Sequence, residues 1–203
     1  MTRAPFILLS VSLMAVLFLA GCGGNDPRFD TRTEYLNGAS QGGGEAGRPP
    51  YDDVSYWEGD GVSGSSHVII RLGEQRAYFY KGHTLVGISI LSTGREGYNT
   101  PLGKFHIIQK DKDHVSSRFG DYDDASGNVL MKEIDREKDP MPRGAKYDGA
   151  KMPYFMRIVG GTGMHEGFLP GYPASHGCIR MPGFMAQAFF RNVELGTPVE
   201  ITY

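Results

Sequence analysis

Three short runs rich in β-branched and aromatic residues, set one after another in HVIIRLGEQRAYFYKGHTLVGISILS from His67 to Ser92, constrain this chain most. Turn signals at Leu72-Gly73-Glu74 and Lys81-Gly82 separate them, which predicts two linked hairpins. GKFHIIQKD, PYFMRIV and the terminal PVEITY supply further strand candidates. The clear helical period is Phe184, Met185, Ala188 and Phe189, directly after Pro182. The expected class is mainly β, a sandwich or barrel with one helix near the C-terminus. Residues 66–203 are about 138 residues, enough for one core. A polar stretch from about 110 to 152 interrupts that pattern and reads as a long insertion, either a lid or specificity element or an addition of no consequence.

The N-terminus differs in kind. MTRAPFILLSVSLMAVLFLAGCGG has a short basic start at Arg3, an apolar run from Phe6 to Ala20 and a small-residue end, the pattern of a signal peptide over 1–21. The run is short for a membrane span, and no comparable stretch follows. LAGC resembles a bacterial lipobox, so Cys22 is the expected lipidation site and membrane anchor; an ordinary leader cut near Ala20 is the alternative. Gly23, in place of a retention-type aspartate, favours an outer membrane in a cell that has two. Residues 22–65 are glycine-rich and poor in apolar side chains, as in NGASQGGGEAGRPP, and read as a flexible tether with an r.m.s. span of roughly 35 Å. YDDVSYWEG near its end carries three aromatic residues suited to docking on the globular part. The expected location is the bacterial cell envelope.

The chain has two cysteines. Pairing them would close a loop of about 155 residues around a tether and constrain little. With Cys22 acylated, Cys178 is a lone thiol in an oxidising compartment, which is a liability unless its reactivity is used. It stands in YPASHGCIRMP, two residues after His176 and thirteen after His165. A thiol of ordinary pKa is only a few per cent thiolate at neutral pH, so nucleophilic catalysis needs an adjacent base or cation. Residues two apart in an extended segment project to one side, which lines His176 up along the chain with Cys178. A histidine from another strand faces the sulfur more directly. His165 is therefore the expected general base and His176 an orienting or charge-stabilising neighbour. Gly177 permits a turn that exposes its own N–H and that of Cys178 as oxyanion donors, each worth about 3 kcal/mol in comparable sites. Arg180 suits either a carboxylate of the substrate or an ion pair in the protein, and Ser175 either a turn or the site.

Zinc ligation by His165, His176 and Cys178 lacks a fourth ligand and the spacing of structural sites, so no metal is expected. His67, His83, His106 and His114 read as surface or packing residues. With 21 basic against 23 acidic residues and no phosphate-binding glycine loop, nucleic acid is not an expected partner.

The segment from His165 through SHGCIRM, together with STGREGYNTPLGKFHI at 92–107, resembles the L,D-transpeptidase catalytic domain, the YkuD family, over nearly all of residues 66–203. The resemblance implies that fold, Cys178 as nucleophile and His165 as catalytic histidine. His176, Gly177, Ser175 and Arg180 match the rest of the signature, with Arg180 and Ser175 taken as substrate-binding. It implies no cofactor, peptidoglycan stem peptides as substrate, and carbapenems as acylating agents. Attack falls between a diamino residue and D-alanine, with transfer to an amine that makes a 3-3 cross-link. Related outcomes are attachment to a wall-linked protein, release of one by hydrolysis, or wall binding without catalysis. Two departures stand out. Glu166 follows the first histidine where many members have glycine, leaving open what orients His165. The insertion at 110–152 is longer than in compact members, which bears on acceptor choice.

Overall fold

The structure, a computed structural model, describes residues 48–203. The expected signal peptide, the expected lipidation site Cys22 and the expected tether up to residue 47 lie outside the described residues. Eleven strands and one helix are described, in two sheets.

The first sheet grows from the predicted hairpins. β2 (Ser66–Arg71), β3 (Arg76–Lys81) and β4 (Thr84–Ile90) pair antiparallel in sequence order. Alternation decides their faces: Val68, Ile70, Ala77, Phe79 and Val86 are buried in the core. The tight β3–β4 turn puts Gly82 at φ 58, a backbone region glycine enters without steric cost. β11 (Pro198–Thr202) adds parallel to β2, and β5 (Gly103–His106) adds antiparallel to β11.

The aromatic segment after the tether closes the other edge. β1 (Tyr56–Trp57) pairs with β4, and Trp57 meets Phe79 edge-on at 5.0 Å between ring centroids. A Cβ on Gly87 would lie 2.8 Å from the Trp57 ring, so glycine is what lets the indole lie flat on the strand. Tyr51 donates to the carbonyl of Leu169, and the Arg48 guanidinium sits 4.7 Å over the Phe184 ring. Residues 48–65, assigned to the tether on sequence, thus pack against the fold from Arg48 onward.

The second sheet runs β10 (Ile179–Met181), β9 (Thr162–Glu166), β8 (Lys146–Val159), β6 (Gln109–Asp123), β7 (Val129–Asp135). Its inner side faces the core through Met156, Ile158, Met164, Ile179 and Met181. α1 (Gly183–Asn192) follows Pro182, which caps it from outside at φ −57 and ψ 145. It buries Met185, Ala186 and Phe189, a face shifted from the predicted one because Ala188 stays half-exposed. Both sheets end in free strands, so the fold is a two-layer β structure and not a barrel.

The polar stretch at 110–152 is not a loop. β6 and β8 run on as a long antiparallel pair from Gln109↔Arg157 to Asp123↔Lys146, with β7 outside them. A small cluster of Tyr122, Met131 and Ile134, flanked by Ala145 and Tyr147, is its apolar content. Polar contacts supply the rest. Arg118 donates from Nε at 2.8 Å and from a terminal nitrogen at 2.7 Å to Asp135, a bidentate pair. So few apolar residues leave no alternation for sequence reading to find.

Candidate active site

The site forms where β9 and β10 lie side by side. Their parallel register sets Met164 opposite Ile179 and His165 opposite Arg180. Paired residues share a face, so Met164 and Ile179 point into the core while His165 and Arg180 point to the other side. Cys178, one residue before Ile179, takes that outer side too. His165 on β9 and Cys178, just before the adjacent β10, thus line one cavity of about 490 Å³.

The turn carrying the thiol is held by the loop after β4. Thr93 O accepts from the amides of Ala174 and Ser175 at 3.0 Å each, and Thr100 Oγ1 donates to Gly177 O at 3.0 Å. A Cβ on Gly94 would fall 2.0 Å from Tyr98 O, so that loop closes only around glycine. Gly177 sits at φ 105, as a sharp turn before the nucleophile requires.

His165 is buried, with Nδ1 2.6 Å from the carbonyl of Glu166. A carbonyl only accepts, so Nδ1 carries the proton and Nε2 is left with a lone pair. Burial depresses the imidazole to about 3, against the opposing pull of that carbonyl. The ring is therefore neutral, and the Glu166 backbone, not its side chain, sets the tautomer. The Glu166 carboxyl lies on the core side near Gly183 at the start of α1, where a Cβ would come 2.9 Å from its carboxyl carbon.

Cys178 is partly exposed to the cavity, with Sγ 3.5 Å from Gly161 O. Burial of the sulfur raises its pKa, opposed by the Gly163 amide and the charges of Arg180 and Arg157. Sequence reasoning asked for a neighbour that ionises the thiol. The surroundings instead favour a neutral thiol and a neutral imidazole lining the same cavity.

His176 has a different setting. Its Nε2 is 2.8 Å from an Arg95 terminal nitrogen, and a guanidinium only donates, so this nitrogen accepts. The ring stacks on Phe119 at 4.6 Å and 18°. Burial first, then Arg95, lowers it to about 4. Ser175 and Arg180, expected to touch substrate, line the cavity and also bond within the protein. Ser175 Oγ accepts the Gly177 amide at 3.1 Å and donates to Cys178 O. Arg180, 3% exposed, reaches the carbonyls of Phe168 and Ala174 at 3.5 and 3.4 Å. The Gly177 amide, expected as an oxyanion donor, is thus engaged by Ser175, while that of Cys178 remains the candidate.

Sequence reasoning passed over the far wall. Between Val115 and Gly120 β6 leaves its register with β8 and bulges toward the thiol, bringing Ser116 to Phe119 to the cavity. Ser116 Oγ accepts the Phe119 amide at 2.9 Å, and the Tyr147 hydroxyl lies 2.7 and 2.8 Å from the carbonyls of Ser116 and Phe119. His114, read as a packing residue, lines the cavity as well and stacks on Phe155 at 4.2 Å. The visible signal for this wall was one arginine, Arg157, in the otherwise apolar PYFMRIV.

The sequence profile of the L,D-transpeptidase catalytic domain, YkuD, matches residues 65–201. Among solved structures, an L,D-transpeptidase from Mycobacterium smegmatis is similar at TM-score 0.52 and 18% identity, over 68% of this chain and 59% of that one. An L,D-transpeptidase from Stackebrandtia nassauensis gives 0.50 and 16%, over 78% and 62%. One from Mycobacterium tuberculosis H37Rv gives 0.50 and 19%, over 68% and 58%. At these identities the likeness is one of fold, and the chain spans about three-fifths of each structure's length. No curated protein sequence matches the chain.

Proposed function

The chain belongs to the YkuD family of L,D-transpeptidase catalytic domains, and on that premise we propose that it is a cysteine acyltransferase acting on peptidoglycan stem peptides. Cys178 attacks the carbonyl between the diamino residue and D-alanine of a stem tetrapeptide. As the C–S bond forms, the thiol proton passes to Nε2 of His165, and the Cys178 amide faces the oxyanion. Collapse breaks the C–N bond, the imidazolium returns its proton to the leaving nitrogen, and D-alanine departs. The side-chain amine of a second stem then attacks the thioester. His165 takes its proton and passes it to the departing sulfur, leaving a 3-3 cross-link. Ser175, Gly177 and Arg180 position the turn, and His176, accepting from Arg95, steadies its near side.

The observation that carries this reading is that His165 on β9 and Cys178, the residue leading into the adjacent β10, line one cavity, with Nδ1 already engaged. Export, acylation of Cys22 and anchoring in the envelope are part of the proposal and rest on the leader sequence. Purified tetrapeptide muropeptides, incubated with the protein and weighed, test it. D-alanine release with 3-3 dimers is expected, and Cys178→Ala should abolish both. His165→Ala should slow single-turnover acylation more than His176→Ala. Tripeptides alone would mean water is the acceptor; no turnover of any stem would overturn the reading.

A further inference from the structure

The cavity is lined by Arg118, Arg157 and Arg180 and, among the described residues, by no Asp or Glu. Arg118 is neutralised, 2.7 Å from Asp135 and 2.8 Å from Glu137. Arg157 differs. Its Nε donates to Gln109 Oε1 at 2.6 Å, one terminal nitrogen donates to Gly160 O at 2.7 Å, and its guanidinium lies 5.0 Å over the Phe155 ring. Every one of these partners is uncharged. Its second terminal nitrogen makes no hydrogen bond among the described residues. Neutral acceptors and a ring hold the guanidinium in place without neutralising it, so it can still pair with an arriving anion.

Position makes that anion part of the substrate. Arg157 pairs with Gly163 across β8 and β9, and Cys178 comes one step before the Ile179–Met164 pair. The three residues share a rung and a face, placing Arg157 two strands, about 10 Å between Cα atoms, from the nucleophile. Gly163 between them leaves room for the Phe155 ring, which a Cβ there would meet at 2.5 Å and over which the guanidinium lies. The Arg157 guanidinium and the Cys178 sulfur approach consecutive carbonyls of one turn, Gly160 O and Gly161 O.

Resting on the reading of a stem peptide as acyl donor, we infer that Arg157 is a specificity residue that pairs with a donor carboxylate lying a few bonds from the scissile carbonyl. Two carboxylates have that relation. One is the free terminus of the D-alanine, the other the distal carboxylate of a diamino-diacid side chain. Gln109 positions the guanidinium by fixing Nε. Either pairing makes the site discriminate against amidated stems.

Binding separates this inference from catalysis. The full chain carrying Cys178→Ala is titrated calorimetrically with three synthetic tetrapeptides: both carboxylates free, the D-alanine terminus amidated, and the side-chain carboxylate amidated. Amidating the recognised carboxylate should weaken binding about 10- to 100-fold, the scale of a charge-assisted pair. The peptide that loses affinity identifies the carboxylate. Adding Arg157→Gln should erase that difference, and Arg157→Lys should restore part of it, because lysine keeps the charge without the fork. Equal affinity for all three peptides, equal losses for all three in Arg157→Gln, or no binding would overturn the inference. Turnover of the unsubstituted protein on muropeptides judges the acyltransferase reading separately.

Discussion

The hairpin sheet and the β6–β7 excursion are both antiparallel β structure, yet they are held together by different forces. In β2 to β4, alternation buries Val68, Ile70 and Phe79 in a core shared with α1. In the excursion, three buried apolar residues are supplemented by a bidentate ion pair and buried carboxylates. The first region is stabilised mainly by area removed from water, which is indifferent to pH. The second depends on groups that titrate, and it carries the cavity wall. The cavity thus borders the polar excursion directly, while β2 to β4 contribute no lining residue and support the second sheet across the shared core.

That contrast can be broken most forcefully at Phe79. Phe79→Ala removes a fully buried ring in contact with Trp57 and Phe189 and should cost about 3–5 kcal/mol. The thermal transition should fall as one unit, with activity lost alongside. An early melt confined to the excursion would mean the two regions are not divided as described.

Asp135→Asn should do the reverse. The Arg118 pair holds this carboxyl below the usual carboxylate range, so its contribution is present above the unfolded pKa and is lost as pH falls through the folded one. Breaking the pair should cost about 1–3 kcal/mol. Amide exchange should quicken across residues 109–152 while β2 to β4 keep their protection, and turnover should drop. Uniform exchange would contradict the division.

Asp121→Asn is the finest test, because its sign is opposite. Burial first, then Asp123 and Asp148, push Asp121 up to about 6, with the Glu133 amide opposing. The native state therefore binds this proton more tightly than the unfolded chain. The group is tolerated as a neutral carboxyl at acid pH and becomes increasingly destabilising as pH rises from about 4 to about 6. Asn should stabilise the protein by about 1–2 kcal/mol above that window and by little below it. Chemical denaturation on either side of the window measures this; a loss of stability at neutral pH would refute it.

Legibility followed the same divide. The hairpins, the late helix and the closing strand were readable because apolar residues recur at the period of the element that buries them. The excursion was not, since Arg118, Asp121 and Asp135 resemble solvated residues until their partners are known. At the site, Cys178 and His165 could be singled out because a thiol expected to be exported and unpaired requires a use, and a histidine on another strand can face it. Ser175, Arg180 and Gly177 line the cavity as expected of site residues, and only the folded turn shows the internal hydrogen bonds they also make. Arg157 was visible as a charge in an apolar strand, but its meaning came from the rung it shares with Gly163 and Cys178.

The central claim is that the resting nucleophile is a neutral thiol whose proton moves to His165 during attack. Ultraviolet thiolate absorbance of the protein, minus that of Cys178→Ala, recorded across pH in the absence of substrate, tests it most directly. The thiolate signal should appear only at pH values above those at which an ordinary thiol ionises, because burial raises this one. A thiolate signal already present at about pH 6 would show a preformed thiolate–imidazolium pair and contradict the account.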